Sequence, residues 1–315
     1  MTSATAPGKI ILIGEHAVVY GRPAIAVPVW ETVATATITD GAPGSGCIAI
    51  ARDLDLVIRL ANANAEEPLA LVTRLTLDAL QLPANPDWQI EITSQIPIAS
   101  GLGSGAALSA ALVKAIYAHV GQPVSPEVVS ALVYESERFY HGTPSGIDNN
   151  VIAHGKPIWF VKGEQLVPFV PDKPLTLVIA DSGISAPTKE TVGDVRRGWE
   201  ANPARYAAWF DEIAVIAEAA RQAIADGDVT ALGRLFTNNQ AVLQKLGVSS
   251  LPLARLIDAA LTAGALGAKL SGGGRGGNVI ALVTPDTAAV VAEQVTAAGA
   301  KRVITTTVGT AEFSA

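Results

Sequence analysis

The chain has 315 residues, 49% of them apolar, and a net charge of -7 with no Lys/Arg cluster. This supplies a large buried core, in one large or two medium domains, and gives no electrostatic footprint for nucleic acid or for a membrane surface. The single cysteine, Cys47, excludes an intramolecular disulfide and thiolate zinc patterns and is read as a buried, inert thiol in a reducing cytoplasm. Met1 to Gly8 lacks the basic start and apolar stretch of a signal peptide, and no apolar run reaches the roughly 18 residues of a spanning helix, so neither export nor membrane insertion is expected.

In chain order, Lys9 to Val19 and Glu31 to Thr39 are rich in β-branched residues and read as strands. A turn at Gly41 to Gly46 and a polar stretch from Asn62 to Pro68 lead into a helix that Pro83 and Pro86 terminate. Strand Trp88 to Ile96 precedes a glycine cluster that opens into a helix over Ala106 to Val120. Ser125 and Pro126 then form an N-cap and N1 pair for the next helix. Strands follow at Pro157 to Val161 and Leu175 to Asp181, and the proline-bearing connector Pro168 to Pro174 suggests a boundary between domains 1–170 and 171–315. Ala-rich segments at 207–226 and 253–268 carry regularly spaced charges and read as amphipathic helices. Strands Val279 to Thr284 and Arg302 to Val308 complete a mixed α/β or α+β chain without internal repeats.

Three segments are more polar or glycine-rich than packing requires. In Pro7 to His16 a strand is bracketed by Lys9 and the Glu15-His16 pair, charged groups that would also suit solvent-facing strand ends. In Pro97 to Ala107 the glycines 101, 103 and 105 let the backbone approach a ligand, and the helix that follows presents unpaired N–H groups, a combination that favours phosphate. The same glycines would serve a close helix–strand contact. The segment is not a Walker A loop, since no Lys-Ser or Lys-Thr follows it. In Lys269 to Gly277, five glycines within six residues fit a flexible loop that closes on a ligand. The formal dinucleotide spacing there is set aside, because a helical segment is expected before the glycines and a strand after them.

Two carboxylates join these loops. Val129, Val133 and Glu137 follow one another in i+4 steps, which puts Glu137 on or at the edge of the inward stripe, where a carboxylate needs a metal ion or a cationic partner. Asp148 ends the tight Gly142 to Asp148 loop, a position often used as a helix cap.

Pro7 to Tyr20, the Gly101-Leu102-Gly103-Ser104 loop and Lys269 to Gly277 resemble, in order and spacing, the three signature motifs of the GHMP kinases. Gly14 to Gly21, His141 to Asn149, and Asn239-Gln240 followed by Leu246-Gly247-Val248 resemble the branch of that family that acts on mevalonate. The resemblance implies an α+β fold, with an N-terminal domain like domain 2 of ribosomal protein S5 and a ferredoxin-like C-terminal domain. It implies phosphorylation of the C5 hydroxyl of mevalonate by ATP and Mg2+ in the cytoplasm, with no nucleic-acid or membrane partner and with a homodimer left open. Asp148 matches the catalytic base, Lys9 the lysine near the transferred phosphate, and Glu137 a magnesium ligand. Ala99, Ser100, Gly101, Leu102, Gly103, Ser104 and Gly105, with Gly273 and Gly274, match nucleotide-binding positions; Glu15, His16 and Thr188 match positions that contact mevalonate, with His16 expected to face its carboxylate and Thr188 to bond that group's oxygens.

Two departures stand out. Most relatives have two consecutive serines in the phosphate loop, the second ligating magnesium, whereas here Gly105 follows Ser104. Ser104 or a water is then expected to take the open position. Arg275 stands where glycine is common, either as a phosphate contact or pointing outward. The alternatives within the family are a mevalonate 3-kinase, a phosphomevalonate kinase or a homoserine kinase. Outside catalysis, the alternative is a metabolite-sensing member of the fold.

Overall fold

The structure, a computed structural model, describes all residues except 65–66, 98–99, 142–143, 186–187 and 310–315, and does not describe the side chains of 54, 139–141 and 188–189. The chain forms two compact units. Unit 1 comprises Met1–Gly8, Thr32–Ile98 and Gly103–Gly155, and unit 2 comprises Lys9–Glu31, Ala99–Leu102 and Lys156–Ala315. Strands β1 (Thr2–Ile13) and β2 (Ala24–Asp40) contribute residues to both.

In unit 1 the strand order is β4-β3-β5-β2, where β3 is Ile48–Ala51, β4 is Leu56–Arg59 and β5 is Trp88–Ser94. β5 runs antiparallel to β2, with Ile90 opposite Ile38 and Ile92 opposite Ala36. These four side chains are buried on one face while Gln89 and Glu91 face out, the period-2 alternation of a half-covered sheet. Helices α1 (Pro68–Ala79), α2 (Ser104–His119), α3 (Pro126–His141) and α4 (Ile147–His154) pack together, and α2 also packs on β5. α2 is buried on nearly every side, which suits its run of Ala, Leu and Val. Cys47 is buried here and burial pushes its thiol up to about 11, consistent with an inert residue.

In unit 2 the first residues of β2 pair with β6 (Ile158–Phe160), which pairs in turn with β7 (Val167–Pro168). The remainder runs β8 (Leu175–Asp181), α5 (Thr188–Ala201), α6 (Pro203–Ala225), α7 (Val229–Lys245), α8 (Leu251–Thr262), β9 (Gly267–Ser271), β10 (Asn278–Val283), α9 (Pro285–Ala297) and β11 (Arg302–Val308). Its four-stranded antiparallel sheet has the order β11-β8-β10-β9. Helices between the first and second and between the third and fourth strands give the βαββαβ plan of a ferredoxin-like domain. The expected helix over 253–268 is corrected here: α8 stops at Thr262, and Gly267 and Ala268 open a strand. The helix expected before the third glycine segment is therefore β9, and the glycines join the β9–β10 hairpin. No helix follows them, so a dinucleotide loop remains excluded on this corrected ground. Among the described residues no helix is long and apolar enough to cross a membrane.

Candidate active site

Within unit 2 the first and third motifs meet. β1 ends at Ile13, and Gly14 turns the chain with a φ of 110° against Ala24, whose Cβ would lie 2.4 Å from a Cβ on that glycine. No other residue fits that turn. Glu15 and His16 follow as buried side chains, and His16 itself has a positive φ of 61°, a backbone cost of order 1–3 kcal/mol that the surrounding contacts must hold in place. The ring of His16 lies 3.1 Å, through Nε2, from the carbonyl oxygen of Gly273 in the β9–β10 loop. A carbonyl only accepts, so Nε2 carries the proton and Nδ1 is an acceptor in the neutral ring. Burial lowers the His16 pKa to about 4, with the Gly273 bond opposing, so the ring is neutral near pH 7.

Glu15 forms an ion pair with Lys269 of β9, and both are essentially inaccessible (1% and 0%). Burial pushes the Glu15 carboxyl up, and Lys269 is the main group pulling it back. The edge of β9 is fastened at three further points. Ser271 Oγ donates to Ile11 O at 2.9 Å and accepts from Ile11 N at 3.1 Å, the side-chain oxygen of Gln240 accepts from Leu270 N at 3.0 Å, and Lys269 Nζ donates to Leu270 O at 2.7 Å. Lys9 is buried within β1, and its backbone N–H donates to Leu102 O at 2.9 Å. Ser100 is also buried, and its carbonyl accepts from Asn278 Nδ2 at 2.6 Å beside Gly277. Thus Lys9, Glu15, His16, Ser100, Gly101, Leu102, Gly273 and Gly274 share one region of unit 2. Gly274 is explained by packing, since a Cβ there would meet Val248 O at 2.1 Å. The Arg275 guanidinium pairs with Asp194 of α5 and donates to Gly247 O at 3.3 Å.

Within unit 1 the phosphate loop continues as Gly103, the N-cap of α2 with a φ of 76°, so that Ser104 and Gly105 form the first turn of the helix. That turn offers N–H groups without intrahelical acceptors, the geometry that binds phosphate. Glu137 of α3 is half-buried, and its Oε1 lies 3.4 Å from where a Cβ on Gly105 would be. The Glu137 carboxylate therefore stands beside the start of α2. Asp148, expected at a loop end, lies instead in the first turn of α4, whose N-cap is Gly146 with a φ of 90°. A carboxylate there is favoured by the helix dipole. α4 is clamped to α3 just after that position, and its own first turn is braced: Asn149 Nδ2 donates to Ser130 O at 3.1 Å and to Ser130 Oγ at 2.8 Å, Ser130 Oγ donates to Asn150 Oδ1 at 2.8 Å, and Asn150 Nδ2 donates to the N-cap Gly146 O at 2.7 Å. Ala99 and the side chain of Thr188 lie outside the described residues.

The model of the N-terminal domain of the GHMP kinases matches residues 69–156, and that of the C-terminal domain matches residues 216–301. The chain belongs to the GHMP kinase family. This GHMP kinase is 36% identical, over 96% of its length and 95% of the relative, to a protein of Thermococcus onnurineus named mevalonate kinase. Among solved structures it is similar to L. major mevalonate kinase in complex with R-mevalonate, at 29% identity and a TM-score of 0.82 over 99% of this chain and 97% of that one. It is similar also to the Methanococcus jannaschii mevalonate kinase, at 25% identity and a TM-score of 0.83 over 96% of each.

The sequence reading did not assign roles to Lys269, Ser271, Gln240 or Asn278. A lysine inside a strand of small and apolar residues was the available signal for the first, but its partner is 254 positions away in sequence.

Proposed function

We infer that this GHMP kinase transfers the γ-phosphoryl group of ATP to the C5 hydroxyl of mevalonate, giving 5-phosphomevalonate and ADP in the cytoplasm. The observation that carries the reading is the end-to-end likeness to mevalonate kinases, joined to a Glu15-His16 pair that is buried and ordered by the third motif. In the reaction the C5 oxygen forms a bond to the γ-phosphorus as the bond to the ADP oxygen breaks, and the hydroxyl proton passes to the Asp148 carboxylate. Lys9 offsets the charge that grows on the phosphoryl oxygens, and the first turn of α2 holds phosphate. Ser104 and Glu137 fit magnesium, a hard cation that takes oxygen ligands, keeps several waters and needs only one or two carboxylates. Bound there, it would neutralise phosphate charge.

A coupled assay of ADP release tests this against mevalonate, phosphomevalonate, homoserine and galactose, with phosphorus NMR of the product. Turnover with mevalonate alone and a phosphate on C5 is expected. Preference for another acceptor, or a C3 phosphate, would overturn it.

A further inference from the structure

The mevalonate reading gives Glu15 a role but leaves the buried ammonium beside it without one. Lys269 sits in the middle of β9, every residue of which is buried. An ion pair in such a place is weak evidence for stability, because apolar side chains of similar volume usually serve a core as well or better. The geometry points instead to the carboxylate. Lys269 Nζ binds Oε1 of Glu15 and the Leu270 carbonyl, whereas Oε2 of Glu15 is buried and has no hydrogen-bond partner among the described residues. Buried polar atoms are rarely left so, and a carboxylate oxygen can be satisfied only by a proton donor.

We propose that Lys269 is a positioning residue of the substrate site, fixing Oε1 of Glu15 so that Oε2 is presented as an acceptor for a hydroxyl group of the bound alcohol. The proposal rests on the mevalonate reading. His16 supports the hydroxyl assignment, since its Nδ1 is likewise an acceptor while Nε2 is bound to Gly273. Both atoms accept, which suits alcohol donors and not the substrate's own carboxylate. The charged groups acting on Glu15 are Lys269 of β9 and, more weakly, Lys9 of β1; His16 is neutral near pH 7. Burial favours the protonated acid, and Lys269 is the largest influence against it. Removing Lys269 takes away the largest influence against protonation of Glu15 and also frees the carboxyl group to rotate.

The test measures KM for mevalonate, KM for ATP and kcat of the full chain, of Lys269→Met, of Glu15→Gln and of the double variant, from mildly acidic to alkaline pH. Loss of a hydrogen bond to a charged acceptor predicts a rise of about 10- to 100-fold in the mevalonate KM of Lys269→Met at neutral pH. The ATP KM should stay within about two-fold, and the defect should shrink as rising pH ionises Glu15 again. The double variant should be no worse than Glu15→Gln alone, the non-additivity expected when one residue acts through the other. Equal rises in both KM values, a rise independent of pH, or additive effects would mark the pair as a plain structural staple and overturn the proposal. Where Lys269→Met alone fails to fold, the double variant, which leaves no buried charge behind, is compared with Glu15→Gln. Equal mevalonate KM values then support the proposal, and a higher one in the double variant overturns it. Absence of mevalonate turnover by the unaltered chain would overturn the substrate reading and this proposal with it, whereas turnover by the unaltered chain with unmoved variants overturns this proposal alone.

Discussion

In unit 2 Glu15 and His16, both assigned to the alcohol, are buried and held by the third motif, Glu15 by Lys269 and His16 by Gly273, whereas in unit 1 Ser104, Glu137 and Asp148 are half-buried. The contrast follows from what each group has to hold. A small alcohol is recognised by a few fixed acceptors, and burying them strengthens every hydrogen bond they make. A nucleotide with its magnesium brings several negative charges and bound water, and needs room beside its ligands. Preorganisation is therefore concentrated where discrimination between alcohols is made. In unit 1 it is the backbone that is fixed, by the N-cap glycines 103 and 146 and the Ser130-Asn149-Asn150 clamp.

The largest expected effect tests whether the unit 1 carboxylate does chemistry. Asp148→Asn keeps size and hydrogen bonding in the first turn of α4 but cannot take a proton. Turnover should fall by about 10²- to 10⁴-fold with ATP affinity, measured by titration of the folded variant, close to that of the parent. Unchanged turnover would remove Asp148 as the base and leave unit 1 with binding alone.

Acid sensitivity provides the next test, directed at the buried pair in unit 2. The folded-state pKa of His16 is about 4, below the ordinary 6.5, so between those values the unfolded chain binds more protons than the folded one. Stability from His16 is therefore fully present above pH 6.5 and lost as the pH falls to about 4, by about 3 kcal/mol in all. Glu15, with its carboxyl raised by burial, shifts in the opposite sense and offsets part of this loss in the parent. Urea unfolding of the parent and of His16→Asn at neutral and acid pH isolates the histidine. The variant should lose less stability on acidification, and parallel losses would show that His16 is not buried neutral.

Much of this construction is legible in the sequence, and the exceptions share a cause. Strands Leu175–Asp181 and Arg302–Val308 have the expected bounds because β-branched runs between turn residues leave little choice. The helix after Ser125-Pro126 is marked by its own cap residues, whereas α2 begins at Ser104, two residues before the expected Ala106, because Gly103 serves as its N-cap. β9 was missed because Gly267-Ala268-Lys269-Leu270 continues an Ala-rich helical pattern, and only pairing with β10 makes it a strand. Gly267 is explained only by packing: a Cβ there would lie 1.9 Å from the Gly233 carbonyl oxygen of α7. The Glu15–Lys269 pair joins residues 254 apart, so neither the closed acceptor site nor the role of the lysine could be read from spacing.

Gly105 gives the smallest expected effect and tests the half-buried region of the comparison. A serine Cβ at this position would stand 3.4 Å from Glu137 Oε1, at the edge of ordinary contact. Gly105 lies in the first turn of α2 and is not among the positive-φ glycines, so Gly105→Ser should fold with stability within about 1 kcal/mol of the parent. If Glu137 faces magnesium, the added hydroxyl supplies one more hard oxygen beside it, and the magnesium concentration giving half-maximal turnover should fall by a few-fold. The mevalonate KM should not move, since the substitution leaves Glu15, His16 and Asp148, the acceptors assigned to the alcohol, unaltered. A changed mevalonate KM with unchanged magnesium dependence would reverse the roles given to these residues.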